Sequence, residues 1–261
     1  MYHLQTIDAK PYQLLQELMT NRELEQAGFL LCGGGAIALH LGHRQSTDID
    51  LFTPKAIPPG AMKKFMEQTF GARVDVYSQS DLGIRGFLDG VKFDMIRFPY
   101  QMQHAPLAEQ NIRFLDLRDA VAMKVHAVAN RGLRRDFYDL AEILQRMPLK
   151  EVLENYQRQF SPSPMAMSHT RRALTFFTDA EADSTKVDVR NGRSWDQVKK
   201  IMARAVQQPS EIPTLKAPRL PKPGNSPLTD LKSSALAKPL PSQPKAPSAQ
   251  VSRPISTRRV T

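Results

Sequence analysis

The chain has 261 residues, of which 41% are hydrophobic and 24% are charged, and its formal net charge is +10. These fractions are typical of a soluble globular protein with one large or two modest domains. No run reaches the ~18 apolar residues of a membrane span, and the N-terminus lacks a basic start followed by an apolar stretch. We therefore expect a cytoplasmic protein without a membrane partner.

Apolar spacing predicts alternating helices and strands in the first half of the chain. The predicted helices cover residues 11–26, 34–41 and 58–70, and the predicted strands cover residues 29–32, 49–52 and segments between 73 and 98. Asp89-Gly90 is the strongest hairpin signal, and it joins two strands of alternating pattern. On the second of these strands, Asp94 points to the face opposite Phe93 and Met95.

Helical spacing dominates from residue 117 onward. The predicted helices cover residues 117–130, 134–146, 150–159, 164–177 and 195–206. We therefore predict an α+β fold in three parts. A mixed sheet with flanking helices occupies residues 1–115, a helical domain that completes the site occupies residues 116–206, and a tail occupies residues 207–261.

The tail carries most of the net positive charge, +7 of +10. It has nine Lys or Arg against two acids, eleven of the twenty prolines and no aromatic residue. Such a segment buries too little apolar surface to offset its ordering entropy, so we predict a disordered, Pro-rich basic tail. It either attracts a polyanion such as nucleic acid or acts as a solubilising extension.

Two aspartates, Asp48 and Asp50, begin a predicted strand with one residue between them, so their side chains project from one face. Together they suit a hard divalent cation, which prefers oxygen ligands. Asp94 is a mid-strand acid that is costly to bury unpaired. If its strand adjoins the first, three carboxylates converge, as is needed to hold two Mg²⁺ ions for in-line displacement at phosphorus. The alternative is a packing turn followed by two solvated aspartates.

Three glycines, Gly33 to Gly35, lead directly into a predicted helix. The backbone N–H groups and the helix dipole there favour an anion, and the missing side chains leave room for a triphosphate. The turn lacks the Gly-Lys-Ser/Thr ending of a Walker A loop. Arg44 and Ser46 lie between this turn and the acidic strand, and they either contact phosphate or fix the loop.

A second charged cluster lies in the segment MKVHAVANRGLRRDFYDL. Lys124 and Arg131 are two helical turns apart, and Asp136 and Asp139 share one face of the next helix, beside Arg135. The cations would hold the phosphates of a nucleotide, and the acids would order those cations. Read alone, the segment favours a simpler interpretation, an ordinary salt-bridged helix surface.

Histidines and the single cysteine carry less chemistry in this sequence. His40, His43 and His126 lack metal-ligand spacing, so we interpret each as a packing or surface residue. Cys32 lies in the apolar run FLLC, and we interpret it as a buried structural thiol.

Together these motifs resemble the AbiEii/AbiGii nucleotidyl transferase toxin family. The resemblance is carried by Gly33-Gly34, GHRQSTDIDLF, KFD, the Lys-Arg-Asp block, ALTFFTDAEAD and the helix that begins at Trp195, and it covers most of residues 12–206. It implies a nucleotidyltransferase-like fold. It also implies transfer of NMP from an NTP to a hydroxyl of RNA, such as tRNA, or of a protein.

The resemblance further implies a biological setting and a cofactor. The setting is the toxin of a type IV-like toxin–antitoxin or phage-defence pair, with a cognate antitoxin as partner. The cofactor is Mg²⁺, as two ions, with Mn²⁺ as an alternative.

Roles for individual residues follow from the resemblance and the patterns above. Asp48, Asp50 and Asp94 are the predicted metal ligands and are catalytic, together with Lys124 and Asp136. The predicted nucleotide-binding residues are Gly33, Gly34, Gly35, Arg44, Ser46, Arg131, Arg135 and Asp139. The position of Gly35 is commonly Ser or Thr in the family, which predicts weaker nucleotide binding or altered activity here.

Two other functions fit the same site. A nucleotide-sensing or RNA-binding module that keeps the fold without turnover is favoured by Gly35 and by the basic tail. A small-molecule nucleotidyltransferase of the antibiotic-modifying type shares the site and requires a further substrate pocket.

Overall fold

The computed structural model describes residues 2–58 and 60–213. The strands within these residues are β1 (Leu30–Leu31), β2 (Ile49–Thr53), β3 (Val74–Ser80), β4 (Gly83–Leu88), β5 (Val91–Arg97), β6 (Leu107–Glu109) and β7 (Ile112–Phe114). They form one mixed sheet in the order β3-β4-β5-β2-β1-β7-β6. The predicted α+β fold with a mixed sheet and a helical second half is confirmed.

The centre of the sheet brings β2 and β5 together as parallel neighbours. In this pairing Asp50 lies in register with Asp94. On the far side of β5, the antiparallel strand β4 places Arg85 opposite Asp94. The two acidic strands are therefore adjacent, which is the condition on which convergence of the three carboxylates depends.

Helices cover the sheet and build the second half of the described chain. They are α1 (Ala9–Thr20), α2 (Arg22–Gln26), α3 (Gly33–Leu41), α4 (Ala61–Phe70), α5 (Leu117–Asn130), α6 (Arg134–Ile143), α7 (Leu149–Phe160), α8 (Pro164–Ala173), α9 (Thr178–Ala182) and α10 (Trp195–Gln207). Side-chain caps start several of them, including Asn21 for α2, Asp116 for α5 and Ser194 for α10. Among the described residues, no helix is both long and apolar enough to cross a membrane.

The buried apolar side chains of the described residues form two cores. The first packs α1 and α4 against the sheet, where Ile49, Leu51 and Phe93 are buried. The second joins α3 and α5 to the later helices. Because side chains alternate along a strand, Asp50 and Asp94 lie on the face opposite the first core. That face is the one left to form a functional site.

The predicted hairpin between β4 and β5 is confirmed. Asp89 and Gly90 have φ values of 49° and 78°, and two positive φ values in succession are what a two-residue type I′ turn requires. Along β5, buried residues alternate with half-buried ones. Asp94 is half-buried, and its neighbours Phe93 and Met95 are buried, as the alternation predicts.

The structure departs from the predicted secondary structure in three places, besides shifts of up to three residues at helix ends such as those of α4 and α6. The helix predicted over residues 11–26 is two helices, because Asn21 is extended and caps the second one. The helix predicted over residues 164–177 ends at Ala173, and α9 follows it. β6 and β7 were not predicted, since each has three residues and so short a segment shows no clear alternation.

The first residues of the predicted tail are part of the described chain. α10 extends through Gln207. The backbone N–H of Lys150 donates to the carbonyl of Pro209 at 2.7 Å, and Nε2 of Gln145 donates to the carbonyl of Pro213 at 2.7 Å. Residues 207–213 therefore contact the helical half. The rest of the predicted tail lies outside the described residues, and the division at residue 116 stays a prediction.

Candidate active site

A pocket with a volume of about 340 Å³ is lined by residues of the sheet, α3 and α5. It collects ten of the predicted site residues, namely Gly33, Gly34, Arg44, Ser46, Asp48, Asp50, Asp94, Lys124, Arg131 and Arg135. Three others, Gly35, Asp136 and Asp139, lie behind its wall. Residues that are far apart in the sequence thus share one cavity.

Three carboxylates line the charged part of this pocket. Asp50 and Asp94 are register partners on adjacent parallel strands, and Asp48 immediately precedes β2. Burial raises the pKa of Asp50, and the nearby charges of Asp94 and Asp48 raise it further. Oδ1 of Asp94 is buried and has no hydrogen-bond partner among the described residues. Negative charge is therefore concentrated here and is only partly neutralised by protein groups.

Side-chain cations surround these carboxylates. Asp48 lies 3.4 Å from Nη1 of Arg135 and 3.9 Å from Nζ of Lys92. Nε of Arg85 lies 3.3 Å from Oδ2 of Asp94. Ion pairs of this length between partly exposed groups contribute at most ~1 kcal/mol each. A more highly charged ligand can therefore displace them.

A divalent metal fits the chemistry of these oxygens. The unpaired Oδ1 of Asp94 and the raised pKa of Asp50 both mark carboxylates that lack a full counter-charge, and Mg²⁺ prefers such oxygens. Within residues 2–58 and 60–213, no three His, Cys, Asp or Glu side chains are arranged as a metal site. Asp48 and Asp94 instead contact cations, so metal binding requires these two side chains to turn toward Asp50.

The first two glycines of the turn are required by the charged side chains beside them. Gly33 begins α3 with φ of 58°, and a Cβ there would lie 2.2 Å from Oδ2 of Asp50. A Cβ on Gly34 would lie 2.1 Å from Nη2 of Arg44. A larger residue would displace a carboxylate or a guanidinium of the pocket, so the glycines do more than leave room for phosphate.

Gly33→Ala is expected to lower both stability and any activity of the site. The positive φ costs about 1 kcal/mol for alanine, and the new methyl group displaces Asp50. Gly192→Ala is the matched control, because Gly192 also has a positive φ of 70° but its added Cβ meets nothing within 4 Å. Thermal melting and a transfer assay check this. Equal loss of activity in the two variants would contradict the role assigned to Asp50.

Gly35, unlike Gly33 and Gly34, does not line the pocket. A Cβ there would lie 3.2 Å from Cδ1 of Leu31 and 3.5 Å from Oγ of Ser46. A hydroxyl at position 35 would therefore lie beside the hydroxyl of Ser46. Ser46 itself lines the pocket. Weaker nucleotide binding caused by Gly35 stays a prediction.

Asp139 is the centre of a buried charge network behind the pocket. It accepts hydrogen bonds from Nε of Arg44 at 2.5 Å and Nη2 at 2.9 Å, and Nε2 of His43 lies 2.7 Å away. Nζ of Lys124 lies 2.8 Å from its second oxygen. Burial alone would raise the pKa of Asp139, but Arg44 and Lys124 outweigh it and hold the pKa well below the ordinary value.

Asp136 extends the same network toward the pocket mouth. It pairs with Nζ of Lys124 at 2.8 Å and with Nε of Arg131 at 3.1 Å. Asp136 and Asp139 are fully buried, so they order the cations that line the pocket. The interpretation of this segment as an ordinary helix surface is therefore wrong for Lys124, Asp136 and Asp139, whereas Arg131 is 53% exposed.

An apolar end of the pocket was missed from the sequence. Phe52 follows Asp50 on the same face of β2, and Ile96 and Phe98 follow Asp94 along β5 and just beyond it. The signal was present, because alternation places every second residue after an acid on the same face. His126, interpreted as a packing or surface residue, also lines the pocket. His43 was likewise missed as a partner of Asp139.

Cys32 is buried, as predicted, with no exposed surface. Burial raises the pKa of its thiol, and the charge of Asp50 raises it further. Because the thiolate is the reactive form, we expect no alkylation of native protein by iodoacetamide at neutral pH and full alkylation in denaturant. Mass spectrometry measures both. Rapid labelling of the native protein would show that β1 and α3 open locally.

A mixed sheet that gathers three carboxylates beside a glycine turn at a helix start is the site expected of a nucleotidyltransferase. The family model for the nucleotidyl transferase AbiEii toxin of type IV toxin–antitoxin systems matches residues 13–210. The chain belongs to this family, as its motifs predicted.

The chain is also similar to individual proteins, at low sequence identity. An uncharacterized protein from Aquifex aeolicus is 27% identical over 184 residues, which cover 69% of this chain and 87% of that protein. The crystal structure of JHP933 from Helicobacter pylori has a TM-score of 0.46 at 13% identity, covering 75% of this chain and 89% of its own. The nucleotidyltransferase toxin MenT4 from Mycobacterium tuberculosis has a TM-score of 0.38 at 13% identity, covering 80% and 97%.

Proposed function

We propose that this chain transfers NMP from an NTP to a hydroxyl group of an RNA or a protein, as the toxin of a toxin–antitoxin pair. The observation that carries this proposal is the register of Asp50 with Asp94 on adjacent strands, next to Asp48 and the glycine turn. Family membership supports the reaction class. The pocket has a charged end and an apolar end, which supports an orientation of the NTP with its triphosphate at the first and its nucleoside at the second.

Metal ligation is assigned to Asp48, Asp50 and Asp94, with Mg²⁺ as the ion and Mn²⁺ as an alternative. Bound there, two such ions would neutralise the phosphates and polarise the phosphorus that is attacked. The chain's own contribution is to place three carboxylates along one pocket, at the cost of the burial and the neighbouring charges of Asp94 and Asp48 that raise the pKa of Asp50.

The triphosphate is assigned to the charged end of the pocket. The backbone N–H groups at the start of α3 would donate to the phosphate oxygens there, and the helix dipole would favour the negative charge of the phosphates. Lys124, Arg131 and Arg135 line the same part of the cavity and balance the charge of the leaving pyrophosphate. Asp136 and Asp139 act as positioning residues, since they fix Lys124 without lining the pocket.

The nucleoside is assigned to the apolar end. Phe52, Ile96, Phe98 and Met123 line that end, and apolar and aromatic surface of this kind suits a nucleobase and ribose. His126 stacks on Phe160 with ring centroids 4.5 Å apart, which stiffens the wall. One NTP thus spans both halves of the cavity.

Asp94 is assigned to the attacking hydroxyl, because its buried Oδ1 has no partner among the described residues. That oxygen accepts the proton of the acceptor hydroxyl as the new bond between oxygen and the α-phosphorus forms. The bond from the α-phosphorus to the bridging oxygen breaks, and pyrophosphate leaves with the electron pair. The acceptor gains one NMP.

The direct test is transfer of label from each α-³²P-NTP, with Mg²⁺, onto purified cellular RNA and protein. Wild type is expected to label one of them, and Asp48→Ala is expected to lose at least ~10²-fold in rate. Asp196→Ala is the control, because Asp196 is 79% exposed on α10. Equal labelling by wild type and Asp48→Ala would refute the mechanism. Calorimetric binding of NTP without any labelling would support the non-catalytic nucleotide-binding module instead.

A cognate antitoxin follows from the family and is part of the proposal. Induced expression of the chain in a bacterial host is expected to stop growth, and co-expression of the adjacent gene is expected to restore it. Asp48→Ala removes the growth defect if transfer is the toxic activity. Resistance to an aminoglycoside on expression, without growth arrest, would point to a small-molecule acceptor.

A further inference from the structure

The open face of the sheet continues past the carboxylates onto β4 and β3. Arg85 lies opposite Asp94 and Phe87 lies opposite Lys92, so these side chains share the face that carries the pocket. The ring of Tyr77 on β3 contacts that of Phe87, with centroids 5.4 Å apart. Tyr77 and Phe87, called the aromatic platform below, are 51% and 39% exposed.

Exposed cations lie between the aromatic platform and the carboxylates. Arg85 and Lys92 line the pocket, and their side chains are 53% and 37% exposed. Their contacts with Asp94 and Asp48 are long, so both can turn toward an external anion at little cost. Asp75, opposite Phe87 on β3, limits this cationic strip on its outer side. Single exposed aromatic residues are common on protein surfaces. Two exposed aromatic rings in contact with each other, next to two exposed cations, instead indicate a binding surface.

The proposed reaction determines the side from which an acceptor arrives, and this step depends on the proposed function. In an in-line displacement the attacking oxygen approaches opposite the leaving group. Pyrophosphate leaves near Gly33, which follows β1, and the sheet order runs β1-β2-β5-β4-β3 from there. The acceptor therefore approaches across β5 and β4, where the aromatic platform lies beyond Asp94.

We propose that the aromatic platform stacks bases of a single-stranded RNA acceptor, while Arg85 and Lys92 contact its phosphates and its hydroxyl reaches Asp94. Aromatic side chains beside a cationic strip are the general means of binding single strands, because every base offers a stacking face. Paired bases in an RNA helix do not offer that face to side chains. A neutral or basic peptide backbone and its side chains would offer these two cations no anionic group to replace Asp94 and Asp48.

Binding of a labelled probe tests the platform without requiring transfer. The probe is a fluorescein-labelled single-stranded oligoribonucleotide of about 12 nucleotides, within the usual range of such sites, and anisotropy is measured on the full chain without NTP. Tyr77→Ala and Phe87→Ala are each expected to weaken binding about tenfold. Phe87→Trp is expected to retain it. Phe176→Ala is the matched control, because Phe176 is an aromatic residue 57% exposed on the helical half.

A second measurement separates stacking from charge. Arg85→Gln is expected to reduce the salt slope of probe binding by about one, whereas Tyr77→Ala leaves the slope unchanged. NTP affinity, measured by calorimetry, is expected to be equal in wild type, Tyr77→Ala and Phe87→Ala.

The outcomes distinguish this proposal from the proposed function. Equal probe binding by wild type and both alanine variants overturns the platform, whether or not the chain transfers NMP. Labelling of a protein that depends on Tyr77 and Phe87, without probe binding, also overturns it in favour of a peptide acceptor. Loss of probe binding with NTP affinity intact supports it. Absence of NTP binding by wild type counts against the proposed function alone.

Discussion

Asp139→Ala is expected to lower the free energy of unfolding by about 3–5 kcal/mol, because it leaves buried cations without their counter-charge. Arg44 loses two hydrogen bonds, and Lys124 loses one of its two acids. Both cations are nearly inaccessible to water, at 7% and 5% exposure. Urea unfolding followed by circular dichroism measures the change.

An exposed ion pair provides the control for Asp139. Glu181→Ala removes a partner of Lys199 at 3.0 Å, but the two side chains are 52% and 32% exposed. This substitution is therefore expected to change stability far less than Asp139→Ala does. If both variants lost the same stability, the buried network would not be a principal support of the helical half.

The pH dependence of this effect has a definite sign. The pKa of Asp139 is held well below its ordinary value in the folded protein. A carboxyl of this kind stabilises the native state above its unfolded pKa, and the contribution is lost as pH falls through the lower folded pKa. The difference in stability between wild type and Asp139→Ala is therefore full at neutral pH. It is expected to shrink below about pH 4.

Asp50→Asn is expected to abolish function while making the protein more stable. Transfer should fall at least ~10²-fold, because the central carboxylate of the site is lost. The melting temperature, measured in EDTA, should rise, since Asn removes a charge that burial and the neighbouring Asp94 and Asp48 disfavour. Functional sites commonly carry such a cost in stability.

The sign for Asp50 is opposite to that for Asp139. Its pKa is raised on folding, so the folded state binds more protons than the unfolded state once pH exceeds the unfolded value of about 3.9. Wild type therefore loses stability as pH rises from there through the raised folded pKa, and Asp50→Asn lacks that loss. Asp196→Asn, at an exposed position, should change neither stability nor transfer. A lower melting temperature for Asp50→Asn would contradict a destabilising effect of burial and of the neighbouring charges on Asp50.

Local sequence predicted most elements because their signals are local. Helical spacing located α5 with both of its ends, and Asp89-Gly90 located the hairpin through its demand for two positive φ values. The break at Asn21 and the short strands β6 and β7 were missed. Capping by Asn21 competes with continuation of the helix, and three-residue strands depend on their neighbours in the sheet rather than on their own pattern.

The candidate site was predictable as a set of residues but not as an arrangement. The spacing of Asp48 and Asp50 placed both on one face, and the mid-strand position of Asp94 marked it as a partner. The predicted two-residue hairpin already places Arg85 opposite Asp94, but the contact of Lys92 with Asp48 was not predictable, because it depends on the pairing of β2 with β5. The second ion pair therefore followed from a pairing of strands that are distant along the chain, which the local sequence does not determine.

The sequence by itself determined the family, the acidic strand and the glycine turn, because each motif consists of residues that are neighbours along the chain. Only the tertiary structure decided that Gly33 makes room for Asp50, that Gly35 lies behind the wall and that Asp139 is buried beneath Arg44. The first of these features depends on a contact across 17 positions, between Gly33 and Asp50, and the last on a contact across 95 positions, between Arg44 and Asp139. Burial then sets the strength of each charge, because the same ion pair contributes little in water and much in the interior.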